Sequence, residues 1–323
     1  MVVCFFVLSG FLIAASVDGR GLSGARYTAL RLGRLWSVAI PCLLVTGVLQ
    51  IIGHLYAPET FGFFERTFSA FRYGLTALFL NELWFISSGM PFNLPVWSLA
   101  YEAWYYALFG VSLFVANRRW RVVLLILLAA LAGPKILILF PIWLLGVGLW
   151  RLCKQSQPSP IFAWGLLSVS IVTIAVWIVR HPRWPEPIGR APLFFSASWA
   201  SDFIFGLAIA GLIRSVDVLW GTRAVAVPID RVVRALAGVT FTAYLLHYPL
   251  MAFASVMVPY DSGNSWHVGG LLLSLFVLVY IFGSWIEPQR KQWTTTIEGL
   301  LGVPRKRLRP LHESVRSSPV TPA

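Results

Sequence analysis

Two runs of nineteen residues, 161–179 and 268–286, pass without one charged side chain. At ~1.5 Å per residue such a run, wound as helix, reaches nearly across the ~30 Å hydrocarbon core of a bilayer. Seven further apolar stretches follow the same rule less cleanly: 2–17, 35–56, 97–116, 122–132, 136–150, 193–213 and 236–258. Composition agrees. Only 12% of the 323 residues are charged and 58% are hydrophobic, against about 25% charged in a soluble domain. This excludes a water-soluble enzyme, a disordered chain and a disulfide scaffold. The expected fold is all-α, a polytopic membrane bundle of about nine spans over 1–291. A basic, flexible cytoplasmic tail is expected over 292–323.

Two segments depart from simple spans. The stretch 57–96 is mixed, and its apolar part, 73–86, is interrupted by Asn81 and Glu82, which reads as an interfacial or re-entrant piece. The runs 122–132 and 136–150 hinge at Gly133 and Pro134, which reads as a tight membrane hairpin. No internal repeat and no second domain are visible.

The net charge is +13, with a pI near 10.2. Such a balance fits either a nucleic-acid partner or basic loops that orient membrane helices. Alternating the loops along the nine runs puts 20 basic residues on one side and 6 on the other. That asymmetry follows the positive-inside rule and removes the need for nucleic acid. The side with 20 is then cytoplasmic, the C-terminus included, as expected of an integral plasma-membrane protein. The same alternation puts residue 1 outside, so one more span is expected upstream. Cys4, Cys42 and Cys153 have no metal or redox spacing, and no metal is expected.

A carboxylate at a helix centre costs ~2.5–3.5 kcal/mol on insertion scales, so one that stays there marks a cavity or a site. Glu102 is such a group. Helical spacing gathers Ser98, Tyr105 and Tyr106 near it, with Trp97 just before. An aromatic belt at the membrane surface would account equally well for the aromatics. His247 lies mid-run with Tyr244 three residues before it and Pro249 two after. It reads as either a cavity residue or a histidine satisfied between helices. Asp202 reads as a helix-start carboxylate. Arg31 and Arg34 share a helix face at i,i+3, where guanidinium groups can grip phosphate bidentately or simply orient the chain.

In order along the chain, these segments resemble the family-3 membrane acyltransferases, which O-acylate polysaccharides, peptidoglycan, lipid-linked sugars and macrolides. Phe5-Phe6-Val7-Leu8-Ser9-Gly10 is similar to the family's F-F-x-x-S-G helix, and Arg31 with Arg34 to its R-x-x-R. Trp97-Ser98-Leu99 with Glu102 and Tyr105 is similar to W-S-L-x-x-E…Y. Tyr244, His247 and Pro249 are similar to Y-L-L-H-x-P, and Glu287-Pro288 to the closing turn. The resemblance covers residues 1 to 291.

It implies a ten-helix architecture, here without the first helix, and an acyl-CoA donor, acetyl-CoA foremost, at the cytoplasmic face. It also implies a hydroxyl acceptor on a glycan or lipid-linked sugar beyond the bilayer. Arg31 and Arg34 would hold the donor's phosphates, with Ser9 and Gly10 beside the acyl path. Trp97, Ser98, Tyr105 and Tyr244 would line the substrate path, and Glu102 and His247 would be the catalytic candidates. The family's first helix carries an R/K-x10-H motif whose histidine is proposed to activate or carry the acyl group. No histidine precedes Ser9-Gly10 here, so that role has no counterpart. A non-catalytic acyl-CoA binder and a transporter remain alternatives to an active enzyme.

Overall fold

The computed structural model describes residues 2–19, 21–62, 69–90, 92–221 and 227–304. Arg20, Arg66 and Arg223 of the loop count, and residues 305–323 of the expected tail, lie outside the described residues. The fold is all-α: among the described residues there are isolated bridges but no strand.

Helix α1 (Val2–Val17) leads into α2 (Gly24–Tyr56), capped by Ser23, whose hydroxyl accepts from the Arg26 N–H. Short helices α3 (Pro58–Gly62) and α4 (Ser69–Ala77) precede α5 (Trp97–Phe114). Then come α6 (Arg118–Ala132), α7 (Pro134–Gln155), α8 (Pro160–Arg180) and α9 (Trp199–Trp220). The chain closes with α10 (Val227–Gly238), α11 (Thr240–Met257), α12 (Ser265–Ile286) and α13 (Arg290–Leu300). Helices therefore occupy all nine expected places. Of these, α2, α7, α8, α9 and α12 are each long and apolar enough to cross a membrane, while α10 and α11, bent by 53°, form either a broken span or a re-entrant pair. The α1 helix is apolar but only 16 residues long.

Glycines decide how closely the centre packs. A Cβ on Gly10 would run into the Trp143 carbonyl, and one on Gly146 into the Val7 carbonyl. Helices α1 and α7 therefore cross backbone to backbone, the contact that small residues permit where lipid gives no hydrophobic drive to associate. Around this crossing lie Phe6, Tyr101, Tyr105 and Trp143, all completely buried. Helices α8 and α12 form the periphery and turn most of their apolar surface outward, as lipid-facing helices do.

One expectation is corrected. The runs 122–132 and 136–150 do not form a tight hairpin. Gly133 turns the chain with φ +80°, so that α6 before it lies along α5 while α7 after it packs against α1 and α9. In the stretch 73–86, α4 ends at Ala77 and a turn region follows, pinned by long-range bonds. Trp36 and Trp104 donate to the carbonyls of Ala77 and Phe79, and Asn93 donates to the Leu245 carbonyl at 2.8 Å. The expected tail begins within a helix. Residues 290–300 form α13, which buries Thr294 and Ile297 against α2, where Gly33 leaves space for Thr294. Arg26 and Glu298, 3.5 Å apart, tie the same two helices.

Candidate active site

Helix α1 brings Ser9, and α5 brings Glu102 and Tyr106, to one buried point. The Ser9 hydroxyl donates to Glu102 Oε1 at 2.7 Å, and the Tyr106 hydroxyl donates to the same oxygen. Trp143 Nε1, from α7, donates to Ser9 Oγ at 3.2 Å. Glu102 is 2% exposed, and these two hydroxyls are the donors that meet its Oε1. Local sequence explains the placement on α5. Residues four apart lie 40° apart around a helix, so Ser98, Glu102 and Tyr106 form one row.

Beside this cluster opens a polar cavity of about 600 Å³. Ser9, Tyr106, Arg26, Arg31, Arg34 and Arg290 all line it. Arg31 donates to Ser16 Oγ at 2.8 Å, and its guanidinium stacks over the rings of Tyr27 and Tyr106. Its Nε is buried with no hydrogen-bond partner among the described residues. Four arginines line this one cavity, and planar guanidinium forks suit carboxylate or phosphate oxygens. The cavity thus joins a cationic mouth to the hydroxyls that hold Glu102. Among the described residues, no group of His, Cys, Asp or Glu is placed to hold a metal ion.

The remaining expected site residues divide. Gly10 serves the α1–α7 crossing. Ser98 and Tyr244 do meet: their hydroxyls lie 2.8 Å apart, and Tyr244 also donates to the Pro95 carbonyl. That pair sits one turn from Glu102 toward the start of α5, with Phe5 stacked on Tyr244. Trp97 stacks on Phe195 at 4.5 Å and edges against Phe6 and Tyr101. Tyr105, three residues and so 60° around the helix from Glu102, makes no hydrogen bond to the cluster. It lies 100° around the helix from Tyr106, donates to the Ile136 carbonyl at 2.9 Å and is completely buried among aromatic rings.

His247 is not brought to Glu102 either. Leu245 and Pro249 define the buried face of α11, and a residue two positions from each projects to the opposite side. His247 is accordingly exposed, with Nδ1 donating back to the Tyr244 carbonyl at 2.7 Å. Asp202 occupies the first turn of α9, buried, as a helix-start carboxylate.

The sequence reading missed two features. Arg290 belongs to the cavity because α13 folds back on α2 rather than leaving the bundle. Lys135, counted as an outer-loop charge, is completely buried: its Nζ donates to Glu82 Oε2 at 2.7 Å and to the Ile86 carbonyl at 2.6 Å. The interruption of an apolar run by Asn81-Glu82 was the available signal for that pair, but its partner lies 53 residues away.

Comparison with known families matches residues 1–286 to the acyltransferase domain of family 3. The chain belongs to the family-3 acyltransferases. It is a multi-pass membrane acyltransferase, and the match runs through every element that builds the Glu102 cluster, with α13 beyond it. No curated protein and no solved structure matches the chain significantly.

Proposed function

We propose that this family-3 acyltransferase transfers an acyl group from acyl-CoA to a hydroxyl of a glycan or lipid-linked sugar. The donor enters from the cytoplasmic face of the plasma membrane, and the acceptor comes from the other side. One observation carries the reading. A single cavity places four arginines, a cradle for the donor's phosphates, against the Ser9 and Tyr106 hydroxyls that bond to Glu102. The excess of basic residues in loops of one sidedness supports the orientation, as does the gathering of Arg26 and Arg290 at this end.

In the transfer, the acceptor oxygen attacks the thioester carbonyl carbon. The C–O bond forms, the C–S bond breaks, and coenzyme A leaves as its thiol. The hydroxyl proton passes to the Glu102 carboxylate, directly or through Ser9 or Tyr106, and from there to the departing sulfur. A carboxylate inside a water-poor cluster suits this general-base role. Arg31, stacked on Tyr106, can stabilise the oxyanion that develops on the carbonyl. The Ser98–Tyr244 pair, on the Glu102 row of α5, supports a route for the acceptor on the other side.

The test uses the purified full chain in lipid nanodiscs with radiolabelled acetyl-CoA and a hydroxyl-rich glycan acceptor. Label appearing in the acceptor, with equimolar release of free thiol, is the expected result. Donor binding without label transfer would instead mark a non-catalytic relative. No donor binding would overturn the reading.

A further inference from the structure

A second cavity, about 380 Å³, lies on the other side of Arg31, between α2, α5 and α6. Its lining differs in kind. Leu35, Ala103, Ala107, Gly110, Phe114 and Leu128 make it apolar, and Arg31 is the one charged residue there. Tyr27 forms part of the partition: its ring lies over Gly110, where a Cβ would come within 2.8 Å, and its hydroxyl donates to the Tyr106 carbonyl. The polar and apolar cavities share two side chains, Arg31 and Tyr106. Tyr106 is bonded to Glu102, so the two cavities meet where an arginine and a Glu102-bonded hydroxyl stand together.

We propose that the apolar cavity receives the hydrocarbon chain of the acyl donor, so that the enzyme takes acyl groups longer than acetyl. This rests on the acyl-CoA reading and refines it. A thioester held at Tyr106, with its coenzyme arm among the arginines, has this apolar cavity bordering the same side chains for its tail. The volume is large against the ~30 Å³ that one water occupies in the liquid, whereas an acetyl group brings a single methyl. An anion site joined to a hydrocarbon site matches the two ends of a fatty acyl-CoA.

The experiment measures binding of free coenzyme A and of acetyl-, butyryl- and octanoyl-CoA to the full chain in nanodiscs, against empty nanodiscs, by calorimetry. Filling an apolar cavity strengthens binding by up to about fourfold per methylene, so octanoyl-CoA is expected to bind at least about tenfold tighter than acetyl-CoA. Ala107→Phe and, from a different helix, Leu128→Trp narrow the cavity and are expected to bring that ratio close to one. Equal affinity across the series, with coenzyme A still bound, would overturn the proposal and leave the cavity to a bilayer lipid tail. A ratio that both variants leave unchanged would overturn it too. Failure of every coenzyme A species to bind would remove the donor reading itself.

Discussion

Glu82 and Glu102 stand twenty residues apart in sequence, and both are taken out of water, yet the protein treats them oppositely. Glu82 is locked against Lys135, both side chains fully buried, and Ser87 donates a further bond at 3.0 Å. Lys135 also donates to the Ile86 carbonyl, and through its own carbonyl it accepts from Ser196. This network ties the turn region after α4 to the start of α7 and to the segment before α9. Glu102 has no such cation against it: its bonds come from two hydroxyls that line a cavity. A buried carboxylate neutralised by a lysine is a strut. One held by hydroxyls beside a cavity can exchange a proton with what enters it.

The sharpest way to break that contrast is Glu102→Gln. It keeps the shape and removes the base, so acyl transfer is expected to fall about 10²–10⁴-fold while the unfolding midpoint stays near that of the wild type. A loss of folded protein in place of activity would make Glu102 a strut as well. The mirror experiment is Lys135→Met, which leaves Glu82 buried and unpaired. Breaking a buried pair from one side costs about 3–5 kcal/mol, to be read from unfolding in nanodiscs. Adding Glu82→Leu is expected to restore much of that loss, since an apolar pair carries no stranded charge.

Smaller effects sharpen the picture around the cavity. Arg31→Ala removes a charge-assisted contact worth ~1.5–3 kcal/mol, and is expected to raise KM for the donor at least about tenfold with little change in the fold. His247→Ala is expected to change turnover less than about twofold, because the imidazole faces away from the buried side of α11 and bonds its own helix; a large loss would move it into the site. The smallest effect belongs to the surface pair of Asp18 and Lys154. The Lys154 ammonium, helped by the Trp150 N–H, holds the Asp18 carboxyl below the usual carboxylate range. Its stabilisation is therefore present above the ordinary Asp value of ~3.9 and fades as pH falls through the lowered value. Asp18→Asn is expected to lower the unfolding midpoint only slightly at neutral pH, and to match the wild type in acid.

The nine apolar runs needed only the sequence, because whether a segment enters lipid depends on the summed hydropathy of its own residues. The basic bias of one set of loops is equally local, and so are the ordered motifs that match this family. Arg31 with Arg34, and Ser9 with Gly10, could be chosen as site residues on that basis. What the string of residues could not supply was rotation. In a soluble helix a polar stripe shows which face turns out, but lipid is as apolar as the core, so these helices carry little such stripe. Hence Tyr105 and His247 read as site residues until packing turned one into the aromatic core and the other outward. Hence also Lys135 read as a loop charge and residues 292–300 as loose tail. Only the packed bundle could join Ser9 to Glu102 across 93 residues and bring Arg290 to Arg31. Such pairings depend on how distant helices meet, and each helix alone is equally stable at every rotation in lipid.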